Sequence, residues 1–386
     1  MIRKPSIAVR KVILATVLAA LIAACGGCRS RQPSSAGETL RVLALFPMTG
    51  PGASLGAYLS NGLALAKEDL DVRYQGQLKV EYEILDSKNQ PGEGLSALRA
   101  ALARSRPHAV LCAMSSVSKA VVPVLERERI PTIVTTTALT DITKGTRFVV
   151  RMYPTSEDFV LPVAQFMAAR FRRVAVFYVR DDFGESNYRV FQKIMTEAGR
   201  TITAAEPFDL APADARTLIA RVLAGKPEGV FVTGYGPSFI SMFRQIREAN
   251  RNVPLFTEIG FANPAVLEGV GAAAEGVIFD GTELELSDPS SERVKSFQDR
   301  YHRRYSVPAY QVTGFAYDSL CLLAEAARKA GGPAMLSKSA LVSLSPFTGI
   351  MGAVQLDAEG ESRVQLRLMR RHGSRTVPIA VNGSGQ

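Results

Sequence analysis

The chain has 386 residues, 47% hydrophobic and 21% charged, which is ordinary for a globular protein and sets aside disordered, collagen-like and multi-span membrane architectures. Its net charge of +10 falls to +6 without the four basic residues of the first eleven positions, and to +1 without the five arginines that follow Ser362, so no basic face for nucleic acid is indicated. Four cysteines are too few for a disulfide scaffold, and His108, His302 and His372 are far apart, so neither a metal nor another cofactor is expected.

Basic residues 1–11 precede a 13-residue apolar run, Val12–Ala24. A bilayer span needs about 20 residues, so this run reads as the core of a cleaved secretory signal over residues 1–24. Leu21-Ile22-Ala23-Ala24-Cys25 places small residues before a cysteine and resembles the bacterial lipoprotein signal. That resemblance implies diacylation of Cys25 and attachment to a membrane through the lipid anchor. Residues 25–38 are rich in Gly, Ser and Pro and read as a flexible tether in which Cys28 is an idle thiol. The body is therefore expected outside the cytoplasm, in the bacterial cell envelope, with Cys112 and Cys321 as buried free thiols.

Within the body, Leu40–Phe46 reads as a strand, followed by a Gly-rich turn and a helix over about 55–70. Strands at 79–85, 109–113, 131–137 and 148–152 alternate with helices at 94–104 and 115–129, the latter opened by Ser115-Ser116 as a cap signal. The pattern then restarts: strands at 174–178, 201–206, 229–232, 255–257 and 277–279 alternate with helices at 185–198, 214–224 and 238–249. Two successive α/β units imply two similar lobes with mostly parallel sheets. Helices near 290–304 and 313–330 follow, and Val364–Leu368 alternates as a half-buried strand.

Two glycine motifs invite enzymatic readings. Gly52-Ala53-Ser54-Leu55-Gly56 matches the hydrolase G-x-S-x-G pattern, but the preceding strand ends near Phe46, too early for a nucleophile elbow. Gly50-x-Gly52-x-x-x-Gly56, with Asp86 ending the next strand, resembles a nucleotide-binding turn, yet a proline loop intervenes and a secreted protein has no free nucleotide supply. A binding site is the better reading. Ser115 and Ser116, with the free N–H groups of their helix, suit a carboxylate, and Thr136 and Thr137 end the neighbouring strand. Strand-end loops at Asp181–Phe183, Gly234–Gly236 and Glu258 would close the crevice from the other lobe, with an aromatic over an apolar part and Glu258 against an amine.

Leu43–Gly56, Ser115-Ser116, Arg180–Glu185, Gly234-Tyr235, Gly260–Asn263 and Phe347–Gly349 with Leu356-Asp357 occur in an order that resembles the branched-chain amino-acid-binding proteins of ABC importers, a type I periplasmic-binding-protein fold. The resemblance implies an α/β fold of two Rossmann-like lobes joined by a three-crossing hinge. Lobe 1 would comprise 39–152 with 283–347, and lobe 2 would comprise 153–282 with 348–375, leaving 376–386 as a tail. It implies that Ser115 and Thr136 hold a solute carboxylate, that Leu55, Phe183, Tyr235 and Tyr310 line the pocket, and that a monomer delivers a small polar solute (an amino acid, carboxylate or amide) to an ABC permease without doing chemistry. The sequence departs from the family's pattern in three places. Ala138 stands where the family has a carboxylate-binding threonine, so Thr136 or Thr137 must substitute. Ile259 stands where the ammonium-pairing acid is expected, with Glu258 one residue early. Asn89 and Met114 replace the usual cysteine pair. A regulatory lipoprotein of the same fold, contacting an envelope enzyme or sensor, is the alternative.

Overall fold

The computed structural model describes residues 37–211 and 214–379. The signal, Cys25, Cys28 and most of the tether lie outside them. The body from Glu38 onward is one compact unit built on two sheets. The first runs β2-β1-β3-β4-β5, with β1 (Glu38–Phe46), β2 (Leu78–Asp86), β3 (Ala109–Ala113), β4 (Thr132–Thr136) and β5 (Val149–Arg151) all parallel. Inner strands such as β3, Ala-Val-Leu-Cys-Ala, are buried along their whole length because helices cover both faces, so they read as unbroken apolar runs. Helices Ala53–Arg73 and Gln311–Lys329 pack against each other beside this sheet.

The second sheet has β6 (Arg173–Val179), β7 (Thr201–Phe208), β8 (Gly229–Thr233), β9 (Leu255–Phe256) and β10 (Ile278–Gly281) in the parallel order β7-β6-β8-β9-β10. A small separate sheet follows, made of β11 (Phe347–Gly349), β12 (Gly352–Leu356) and β13 (Ser362–Arg363). The antiparallel hairpin of β14 (Arg367–His372) and β15 (Arg375–Pro378) then extends the second sheet beyond β10.

Two expectations are corrected. Residues 376–378 are not tail, because they pair with β14 as β15. Residues 348–363, expected in lobe 2, do not join the second sheet but form the separate β11–β13 sheet with Phe347. Their local antiparallel pairing makes a strap that bonds to the first crossing between sheets: Arg151 N–H donates to Gly360 O at 2.8 Å, Ser362 Oγ donates to Tyr153 O at 2.9 Å, and the fully buried Arg151 pairs with Glu361 at 2.6 Å. A helix over Ser156–Ala168, concealed in the sequence by Pro162, starts on a capping box between Thr155 and Asp158. No described helix is long and apolar enough to cross a membrane. Cys112 and Cys321 are buried and unbridged.

Candidate solute-binding site

The carboxyl ends of β1, β3 and β4 face those of β6, β8 and β9 across a cavity of about 60 Å³. A single water needs roughly 10–15 Å³ on this measure, so the space suits about four to six waters, or a solute of fewer than about a dozen non-hydrogen atoms. From the first sheet's side come Leu55, Met114, Ser115, Ser116 and Thr136; from the second come Phe183, Tyr235, Glu258 and Asn263; Tyr153 and Tyr310 stand between them.

The serine turn differs from its sequence reading. Neither Ser115 nor Ser116 caps the helix Ser115–Arg127: the N-cap is Met114, held at φ +72° with no capping side chain. Ser115 Oγ instead accepts the Ala138 N–H at 3.3 Å, which leaves its own O–H to donate into the cavity beside the open N–H groups of the first turn. Ala138 thus contributes a backbone donor to Ser115, where the family pattern has a hydroxyl. Thr136 Oγ1 is buried without a partner. Thr137 is absent from the cavity, because successive side chains at a strand end point to opposite sides; its hydroxyl lies 2.6 Å from that of Ser118 in the core.

Glu258 lies past the end of β9, on the turn before Ile259–Ala262, so the one-residue offset does not turn it away. It is fully buried; Oε2 accepts the Gly260 N–H at 2.6 Å and Oε1 has no partner. Burial pushes its carboxyl up to about 7. Ile259 packs in the core. Asp181 is the second acid of the lining. Its Oδ1 accepts the Gly184 N–H at 2.9 Å, capping the helix Asp182–Glu197, and burial raises its carboxyl above the usual range. Among the described residues, no lysine, arginine or histidine lines the cavity.

The two walls touch directly. Tyr235 O–H donates to Asp181 at 2.5 Å and accepts from Asn89 Nδ2 at 2.9 Å, and Lys119 reaches Asp182 at 2.5 Å. Gly236, at φ +73°, lets the opposite backbone approach: a Cβ there would stand 3.1 Å from the Pro51 carbonyl. The structure is a closed form.

The glycine motifs resolve into architecture. A Cβ on Gly56 would stand 2.2 Å from the Pro47 carbonyl, so the helix Ala53–Arg73 packs there only with glycine. Ser54 sits in the first turn of that helix, not on a strand-to-helix elbow. Asp86 ties down the turn by accepting from Met48 N–H, Thr49 N–H and Lys88 N–H at 2.8–3.2 Å. Among the described residues no cluster of His, Cys, Asp or Glu is arranged to hold a metal ion.

Eight of the nine candidate ligand-binding residues share this cavity, Thr137 being the exception. Sequence reasoning passed over Asn89, Met114, Tyr153 and Asn263 as lining residues. The signal for the first two was their position at the family's cysteine pair, beside the site loops. Tyr153 lay at the expected boundary between lobes 1 and 2, and Asn263 in a matching stretch.

Residues 39–369 match the family model described as periplasmic binding protein. The Leu/Ile/Val-binding protein BraC3 of Rhizobium johnstonii is 24% identical over 292 residues, 74% of this chain and 78% of that one. The Leu/Ile/Val-binding protein of Escherichia coli is 20% identical over 329 residues, covering 84% and 88%. Among solved structures, a leucine-binding protein of Thermotoga maritima superposes with a TM-score of 0.80 at 21% identity, covering 88% of this chain and 98% of that one. A solute-binding protein of an ABC transporter from R. palustris, in complex with benzoate, gives 0.81 at 19% identity, covering 88% and 95%. On this match over most of its length, the chain belongs to the periplasmic binding protein family.

Proposed function

We propose that the protein is a lipid-anchored extracytoplasmic receptor that captures a small zwitterionic solute between its two walls and hands it to an ABC permease. The observation that carries this reading is the opposed equipment of the cavity: an unpartnered hydroxyl at Thr136 on one side, an unpartnered buried carboxyl oxygen at Glu258 on the other. A carboxylate would accept from Ser115, Thr136 and the N–H groups of the helix start; an ammonium would donate to Glu258. Leu55, Phe183 and Tyr310 would enclose the remaining apolar part. An acid without an amine would leave Glu258 Oε1 unsatisfied, or require it to stay protonated, which supports an α-amino acid over an aromatic acid. The names of the relatives agree with a branched-chain amino acid, and the Leu21–Cys25 signal supports the anchor.

The test is calorimetric titration of protein first unfolded and refolded to free it of carried-over solute. L-Leucine and L-isoleucine are expected to bind, and benzoate to bind at least tenfold more weakly. Benzoate binding as tightly as leucine would overturn the zwitterion reading; no binding by any of the three, with acetamide also inert, would overturn solute capture.

A further inference from the structure

Behind the cavity lie two acids that no binding role explains. Asp280 is on β10 and fully buried; Glu285, on the turn that follows it, is half-buried, with its Oε1 shut off from solvent. β9 and β10 pair in parallel with Phe256 opposite Ile278, so two residues further along Glu258 and Asp280 come side by side. Neither carboxyl oxygen of Asp280 has a partner; nor does Glu258 Oε1 or Glu285 Oε1. The other oxygens are held: Glu258 Oε2 by the Gly260 N–H at 2.6 Å, and Glu285 Oε2 by Thr282 N–H at 2.8 Å and Thr282 Oγ1 at 2.7 Å.

The groups facing this trio come from every neighbouring segment. Tyr153 of the first crossing feels the charge of all three acids, and Tyr310, at the start of the helix Gln311–Lys329, feels Glu258 and Glu285. Gln311 donates its Nε2–H to Tyr153 Oη at 3.2 Å, and its Oε1 is unpartnered. Backbone amides of Gly234 and Gly260 act on Glu258, that of Ile259 on Asp280 and that of Gln311 on Glu285. Asp181 and Tyr235 line the same cavity as Glu258. The groups that act most strongly on the three carboxyls include no basic side chain. Three carboxylates cannot all stay ionised in so dry a place without a counter-charge, and the residues are not arranged to hold a metal ion. The remaining compensation is protons, or a cationic group of the solute.

We infer that Glu258, Asp280 and Glu285 form one proton-sharing unit behind the cavity, and that a solute ammonium docking at Glu258 expels a proton from it. A carboxyl O–H bond breaks, the proton passes to solvent, and the carboxylate pairs with the ammonium; nothing is oxidised or reduced. The inference rests on the proposed capture of an amine-bearing solute and adds that Asp280, which does not line the cavity, sets the pH at which capture is tight. Burial raises all three carboxyls above the ordinary range, in keeping with protons held there near neutrality.

The experiment titrates the purified protein with L-leucine, whose own groups do not ionise between pH 6 and 8, in buffers of different ionisation enthalpy. At pH 7 the buffer dependence should show release of about half to one proton per leucine, and Kd should weaken by up to about tenfold per pH unit toward pH 6. In Asp280→Asn the loss of the adjacent acid should move this pH profile to lower pH and reduce the protons released at pH 7. A merely structural Asp280 would instead shift Kd equally at every pH. Glu285→Gln makes the same test where Asp280→Asn fails to fold. Leucine bound with no proton released and a flat pH profile overturns this inference and leaves the capture reading standing; an unmoved profile in the variants removes Asp280 and Glu285 from the unit. Leucine and isoleucine both failing to bind at any pH overturns this inference together with the amine-bearing solute on which it rests.

Discussion

The two walls of the cavity are built from equivalent parts, the loops after parallel strands, yet their chemistry differs. The first sheet presents hydroxyls and a helix N-terminus without a charged side chain, whereas the second presents a buried acid, a half-buried acid and two aromatics. A doubly wound sheet dictates where a site lies, at strand ends, but leaves the side chains there free to differ. One wall is thus suited to accept a negative end and the other a positive one, and the solute would supply what each lacks.

That contrast can be broken wall by wall. The largest effect is expected on the acidic side, where Glu258→Gln keeps the shape but removes the charge opposite an ammonium. Leucine affinity should fall by about 2–4 kcal/mol in calorimetric titration, and an unchanged Kd would place the amine elsewhere. On the hydroxyl side, Ser115→Ala should cost roughly 1–3 kcal/mol in the same titration, and parity with the parent protein would exclude that hydroxyl from the solute. Where the walls meet, Tyr235→Phe removes both bonds of the Asn89–Tyr235–Asp181 bridge. It should weaken leucine binding by about 0.5–1.5 kcal/mol and enlarge the solute-free protein in small-angle X-ray scattering, as the closed form loses population. The smallest effect on binding is expected for Thr137→Val. Its hydroxyl bonds Ser118 away from the cavity, so Kd should stay within error while stability to urea falls by about 1 kcal/mol. A binding defect there would mean that the strand end is read wrongly.

Legibility differed by level. The parallel strands were plain because residues buried on both faces leave apolar runs such as Ala109–Ala113, and the site loops followed from strand ends. The helix at 156–168 was hidden by Pro162, and the β14–β15 hairpin by its arginines, which are tolerated because one side of each strand stays wet. At the site, Ser115-Ser116 carried the composition of a cap yet performs none, because Met114 takes the cap position in a left-handed conformation that no local rule announces. Asn89 was legible only as a departure from a family pattern, since its partner Tyr235 lies 146 residues away.

Periodicity and turn chemistry are local properties of the chain, so they were enough for the two-lobed α/β architecture and for the expectation of a binding site at strand ends; Leu55, Phe183, Tyr235 and Tyr310 were expected there from the family resemblance. Tertiary structure alone decided which of two adjacent threonines faces the cavity, whether Glu258 reaches it, and that Asp280 and Glu285 stand behind it. Those outcomes depend on register and on how deeply each carboxyl is removed from water, and both are set by segments far apart in sequence that meet only when the chain folds.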